Sequence, residues 1–145
     1  MKYDDYDQIW AVVRSLKNEN PHFKHVPELS PSWDLFKKYL QLKKEGNWNQ
    51  DAFFNIYLPQ FINEMRNPIA KKKLAKLINL DAEGYNICLF CFCQDEKMCH
   101  RSILGYLLKS FGANVEGLAD DTIDNLNLVF KNQGIKIRKV KKIKR

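Results

Sequence analysis

An apolar run of eight residues, Asn86-Ile-Cys-Leu-Phe-Cys-Phe-Cys93, is followed by a polar loop, Gln94-Asp-Glu-Lys-Met98, and then by the amphipathic run Ser102-Ile-Leu-Gly-Tyr-Leu-Leu-Lys-Ser-Phe111. The first run has the length and composition of a buried strand, and the last places its apolar residues at helical spacing. Strand, loop and helix in that order are the repeating unit of an α/β sheet. The same stretch holds all four cysteines of the chain within twelve residues, and the last of them opens a Cys99-His100-Arg101 triplet. A thiol, an imidazole and a guanidinium therefore fall near a helix N-terminus on the C-terminal side of a strand, where open α/β sheets commonly bind ligands.

The rest of the composition is that of one ordinary domain: 145 residues, 45% of them hydrophobic, support a single core. No apolar stretch has the length needed to cross a bilayer, and Met1-Lys-Tyr-Asp-Asp-Tyr-Asp7 lacks both the basic start and the apolar stretch of a signal peptide. The expected location is cytoplasmic, with no membrane partner. Thiols there are reduced by default, so their clustering points to chemistry or metal more than to a disulfide framework, with Cys91 and Cys93 available as redox partners of Cys99.

The net charge of +7 belongs to the end of the chain. Residues 131–145 hold eight Lys or Arg and no acid, which leaves sixteen basic against seventeen acidic side chains in the first 130 residues. The expected division is therefore an α/β domain over residues 1–130 and a basic tail over residues 131–145. In that tail Lys136, Arg138, Lys139, Lys141, Lys142, Lys144 and Arg145 interleave with Ile135, Ile137, Val140 and Ile143, the pattern of an edge strand or of an arm that contacts nucleic-acid phosphates. A solubilising extension has the same composition.

Along the chain, Asp7-Gln-Ile-Trp-Ala-Val-Val13 reads as a first buried strand that delivers Arg14 to its C-terminal edge. Residues 17–31 are broken by Asn18, Asn20, Pro21, Pro27 and Pro31 and read as a long loop carrying His22, His25 and Glu28. Ser32 caps a helix from Trp33 that Gly46 ends. A second helix from Asn49 places Phe53, Tyr57 and Phe61 on one stripe, with Pro59 kinking or breaking it. A third has Pro68 in its first turn and a solvated Lys71-Lys-Lys73 face, Asp81-Ala-Glu-Gly84 turns into the cysteine strand, and Asn114-Val-Glu-Gly117 is short enough for an edge strand. The expected architecture is a single small α/β domain, a short and mostly parallel sheet flanked by helices, with a basic C-terminal tail.

Several separated segments resemble one family. Leu89-Phe-Cys91, seven residues, and Cys99-His-Arg-Ser-Ile-Leu104 resemble the Cys-His-Arg signature of the DUF488 proteins, a family of unknown function. Val12-Val-Arg14 resembles that family's arginine after its first strand, His25-Val-Pro-Glu-Leu-Ser-Pro-Ser32 its Pro-rich loop, and Trp48, Phe53 and Tyr57 its Trp-x4-Phe-x3-Tyr helix. The resemblance spans roughly residues 7–115 and implies an α/β domain with a shared polar pocket. Many members carry Glu two residues after the first motif cysteine, where this chain has Cys93.

Three chemistries compete at the triplet. A thiol beside Arg101 and a helix N-terminus is in a field that favours thiolate, which makes Cys91 and Cys99 candidate nucleophiles with His100 as proton carrier. The spacing from cysteine to arginine excludes the five-residue phosphatase cradle, while Arg14, Arg101, Ser102 and Glu28 remain candidate substrate-binding residues for a phosphate or carboxylate. Cys91, Cys93 and Cys99 with His22, His25 or His100 offer a metal set, but Cys-x-Cys-x5-Cys without a second pair departs from zinc knuckles. No metal or other cofactor is therefore expected. Cys88 points to the opposite strand face and reads as an inert core residue. The expected function is binding of a nucleotide or nucleic-acid phosphate at a Cys/His/Arg pocket, with thiol-dependent chemistry open. The alternative is a non-enzymatic interaction module, its cysteines zinc-bound or merely packed, that engages nucleic acid or a protein partner through the tail.

Overall fold

Among the described residues a parallel sheet of three strands organises the fold, with β1 (Gln8–Ala11) between β2 (Phe23–His25) and β3 (Ile87–Phe90). The computed structural model describes residues 5–16, 21–93 and 95–133. Ala11 pairs with His25 on one side and Phe90 on the other, and the ladder runs on beyond: the Val26 N–H donates to the Ala11 carbonyl and the Val12 N–H to the Phe90 carbonyl, both at 2.9 Å. The chain therefore leaves the sheet at one edge through Val12, Val26 and Cys91. Ile9, Trp10 and Ala11 are buried, as a central strand requires, and the Trp10 indole N–H is satisfied by the Gln8 side chain at 2.8 Å.

The strand β2 lies within the stretch expected as a loop. Three residues are too few to show a period of two, and what makes them a strand is the row of backbone partners that β1 presents.

Among the described residues, five helices pack around the sheet. Helix α1 (Trp33–Lys44) begins where Ser32 Oγ accepts from the Leu35 N–H at 3.1 Å, and Gly46 follows it with φ of +74°. Helix α2 covers residues 50–64 as one run, with an α turn over Gln50–Ala52, a π turn over Phe53–Tyr57 and a further α segment over Leu58–Glu64. The Leu58 N–H reaches back five residues to the Phe53 carbonyl, and this wider turn falls just before Pro59, which has no N–H to offer. The expected kink or break is thus a π turn, and Phe53, Tyr57 and Phe61 still stack in succession at centroid separations of 5.7 and 6.1 Å. Helix α3 (Pro68–Ala82) is capped by Asn67, whose side chain accepts from the Ala70 N–H at 2.9 Å.

Helix α4 (His100–Ser110) is the one read after the cysteine strand, and α5 (Asp120–Gln133) is a fifth helix that the sequence reading did not contain. It runs past residue 130, so residues 131–133 of the expected tail are helical, while residues 134–145, Lys136, Arg138, Lys139, Lys141 and Lys142 among them, lie outside the described residues. Residues 114–117 are irregular rather than a strand, held to α3 by the Asn114 N–H donating to the Asp81 carboxylate at 3.1 Å. The core is built from Trp10 and Val12 of the sheet side, Phe53, Leu58 and Phe61 of α2, Ile103 and Leu104 of α4, and Leu126 of α5. No helix among the described residues is long and apolar enough to cross a membrane.

Candidate functional site

The loop after β3 folds back on itself, and its two ends meet. Asp95 caps a short 3-10 turn over Glu96–Met98 by accepting from the Lys97 N–H at 2.9 Å, and the chain then enters α4 with Cys99 as its N-cap. The Cys99 sulfur accepts from the Arg101 N–H at 3.5 Å and is joined to Cys93 in a disulfide, with Cys88 and Cys91 outside that bond. Of the two redox partners the sequence left open for Cys99, it is Cys93 that is bonded to it, across the loop's two ends. Cys91 Sγ lies 3.1 Å from Cys99 Sγ, and the sulfurs of Cys91, Cys93 and Cys99 are all within 4.8 Å of one another.

His100 completes this group. Its Nε2 is 2.6 Å from the Val12 carbonyl, which can only accept, so the ring proton sits on Nε2 and the Nδ1 lone pair faces Cys99 Sγ at 3.6 Å and Cys93 Sγ at 3.9 Å. Burial pulls its pKa down to about 4, with the Val12 hydrogen bond opposing and the nearby Arg101 charge adding to the drop, so the ring is neutral at pH 7. The Phe61 ring packs against it with centroids 5.6 Å apart. Beyond it the Tyr57 hydroxyl is held above its ordinary pKa by burial first, then by the charges of Glu64 and Cys91.

The two arginines expected at one pocket line two different cavities. Arg14 donates from Nε and Nη2 to the Pro31 carbonyl at 3.1 and 3.0 Å and from Nη2 to the Ser30 carbonyl at 3.3 Å, which clamps the Pro-rich loop against the exit of β1. It borders a cavity of about 580 Å³ together with Glu28, Ser32 and Glu64. Glu28 is paired with Lys73 at 3.5 Å, and Glu64 accepts from the Ser32 N–H at 2.9 Å. Arg101 borders a larger cavity, about 1020 Å³, along the outer edge of β3, with Asn86, Cys88, Lys97 and Ser102. The Ser102 hydroxyl is engaged within its own helix turn, donating to the Cys99 carbonyl at 2.7 Å.

Cys91, Cys99 and His100 are brought together as candidate catalytic residues, yet they line neither of these cavities and are 7%, 1% and 5% exposed. Cys88 does lie on the opposite face, but as a half-buried wall of the larger cavity rather than as core; burial pushes its thiol pKa up and Arg101 pulls it back. The loop histidines stay out of the sulfur group: His25 Nε2 meets the Val13 carbonyl at 2.8 Å and His22 is exposed. Two groups went unnoticed in the sequence, Glu64 and the Val12 carbonyl. Glu64 is 32 residues from the serine it holds, and a backbone carbonyl carries no residue-type signal.

These features define a class: a small parallel α/β domain whose strand-exit loop carries a Cys-His-Arg triplet into a helix. The chain belongs to the DUF488 family, and the family model DUF488-N3a, described as the active DUF488-N3 subclade, matches residues 8–112. That span runs from the first residue of β1 to just past α4 and leaves α5 outside. No curated protein and no solved structure matches the chain.

Proposed function

We propose that the chain binds a phosphate-bearing ligand, a nucleotide or the backbone of a nucleic acid, in the cavity along β3. The observation that carries this reading is the set of charged and amide side chains on a wall that is otherwise largely aliphatic. Arg101, from the first turn of the eleven-residue helix α4, and Lys97, from the turn before it, line the cavity together with Asp81, Asn114 and Glu116. A guanidinium near a helix N-terminus suits phosphate oxygens, and carboxylates and amides suit the hydroxyl and amino groups of a ribose and a base. A volume of about 1020 Å³ is at the large end of small-ligand sites. Lys97 is held by Asp121 at 2.7 Å in an exposed ion pair, and such pairs exchange partners at little cost.

Binding rather than turnover is the core of this proposal. The subclade's description as active keeps a reaction in view. Cys88, however, is the thiol on the cavity wall, and its raised pKa keeps it protonated at neutral pH. A step through Cys91, Cys99 and His100 requires the ligand to reach buried sulfurs. The basic tail would add salt-sensitive backbone contacts if the ligand is a nucleic acid.

The test is an equilibrium titration of the full chain with ADP and, separately, with a short single-stranded oligonucleotide. Arg101→Ala is expected to weaken binding by roughly 10- to 100-fold, the range of a lost charge-assisted contact, while Arg14→Ala leaves it unchanged. No saturable binding of either probe, or equal losses in the two variants, would sink the reading.

A further inference from the structure

We propose that Cys91, Cys93, Cys99 and His100 form a closed site for one zinc-type transition-metal ion, held by three thiolates and one imidazole, that ties the exit of β3 to the start of α4.

The donors come from two short segments. Cys91 and Cys93 are two residues apart on the extended chain leaving β3, so their sulfurs share a side while Phe92 between them is exposed. Cys99 and His100 are the N-cap and first residue of α4. What closes the group is tertiary, because the loop of residues 94–98 returns the chain to where it left the sheet.

The distances suit a tetrahedron. With zinc–sulfur bonds of ~2.3 Å and zinc–nitrogen bonds of ~2.0 Å, neighbouring sulfurs stand ~3.8 Å apart and a sulfur stands ~3.5 Å from the nitrogen. His100 Nδ1 is 3.6 Å from Cys99 Sγ and 3.9 Å from Cys93 Sγ, Cys91 Sγ is 3.1 Å from Cys99 Sγ, and all three sulfurs fall within 4.8 Å. The Cys93 and Cys99 sulfurs, bonded to each other here, must part to the same spacing once that bond is opened.

The surroundings are those of a ligand set. The Nε2 hydrogen bond to the Val12 carbonyl, 2.6 Å, fixes the tautomer that leaves Nδ1 as the donor atom, the outer-shell arrangement that metal-bound histidines use. The Arg101 N–H aims at Cys99 Sγ, and the start of α4 adds its partial positive charge, both of which favour thiolate. Three sulfurs and a nitrogen select zinc-type ions over magnesium or calcium. Four protein donors close the shell, so the ion's role is structural.

The Cys93–Cys99 disulfide must first be reduced. A phosphine reductant does this with one water: the phosphine takes the oxygen and becomes its oxide, and the two protons of that water complete the two thiols. Zn²⁺ then binds three thiolates and displaces three protons. The reverse oxidation of the Cys93 and Cys99 thiolates by a disulfide oxidant, itself reduced to two thiolates that take their protons from water, releases the ion. None of the four residues lines the Arg101 cavity, so this site stands or falls apart from the phosphate reading.

The experiment is titration of the full, phosphine-reduced chain with Co²⁺ followed by displacement with Zn²⁺, and X-ray absorption at the zinc edge. The expected result is one ion per chain, the thiolate-to-cobalt charge-transfer and d–d bands of a tetrahedral site, and a zinc shell of three sulfurs and one nitrogen at ~2.3 and ~2.0 Å. Cys91→Ser, Cys93→Ser, Cys99→Ser and His100→Gln should each weaken Zn²⁺ binding by about a hundredfold or more, and Cys88→Ser should not. An octahedral cobalt spectrum, a zinc shell without sulfur, no binding to the reduced wild type, or a Cys88→Ser loss equal to the others would overturn the assignment. The wild-type spectra decide even where a variant fails to fold.

Discussion

The two sides of the start of α4 are built from neighbouring residues and have opposite characters. On one side Cys99 and His100 are buried against Phe61 and beside Cys91, with the imidazole N–H spent on the Val12 carbonyl. On the other, Arg101 and Ser102 border an open cavity whose wall mixes charged and aliphatic side chains. Successive residues on a helix point about 100° apart, so a motif that is continuous in sequence is divided between a buried interior and an open cavity. The lesson is that Cys-His-Arg is not one surface. Its first two residues turn inward to the sulfur group, and its third borders the cavity along β3.

The sharpest way to break that contrast is to remove the wall behind the buried side. Phe61 is fully buried between Tyr57 and His100, and Phe61→Ala should cost about 3–5 kcal/mol in urea unfolding. A loss below about 1 kcal/mol would mean that the aromatic stack does not support the sulfur side.

Next comes the pair of arginines. Arg14→Ala strands the Ser30 and Pro31 carbonyls and should cost about 1–3 kcal/mol of stability, whereas Arg101→Ala should act chiefly on ligand affinity. Parallel thermal melts and titrations of the two variants read this directly, and a swapped result would erase the distinction between clamp and contact.

On the open side, a Cβ added to Gly105 of α4 would meet Val115 Cγ1 at 3.5 Å and the Leu118 methyls at 4.0 Å, ordinary contact distances. Gly105→Ala should therefore stabilise by about 0.5–1 kcal/mol through helix propensity, measured by denaturant midpoint. Destabilisation would show that the segment over the cavity is packed more rigidly than the buried side.

The smallest expected effect lies away from both sides. Lys24, with its ammonium 4.7 Å from the centre of the Trp10 ring, has a pKa lowered from 10.5 to about 8, chiefly by its contact with Lys76 and then by burial. Below pH 8 both folded and unfolded chains carry this charge and the fold bears the repulsion. Between pH 8 and 10.5 the folded chain alone gives up the proton, so stability rises across that window. Discounted for solvent exposure, the gain should be below about 1 kcal/mol, and Lys76→Gln should flatten it in melts taken at pH 8 and pH 10.

Much of the scaffold was legible because it is written in local patterns. The strand before the cysteines, the helix after them, the Ser32 cap and Pro68 in the first turn of α3 each depend on residues within a few positions of one another. Two elements were not. Strand β2 exists because β1 offers it partners, and α5, whose Leu126 and Phe130 reach the core beside Tyr106, follows a stretch whose turn residues mask the helical period. At the site, the convergence of Cys91 with Cys99 was readable only as a possibility of spacing, and the parting of Arg14 from Arg101 was not readable at all.

By itself the sequence determined that this chain is a parallel α/β domain of the DUF488 family, with sulfur, imidazole and guanidinium at one strand exit. Periodicity and capping are short-range and survive in the one-dimensional string. Only the tertiary structure decided that His100 turns its Nδ1 to the sulfurs by spending Nε2 on Val12, 88 residues away, and that Arg14 closes a loop while Arg101 borders a cavity. Those choices depend on which backbone carbonyls and which side chains packing brings within 3 Å, and chain spacing does not encode that distance.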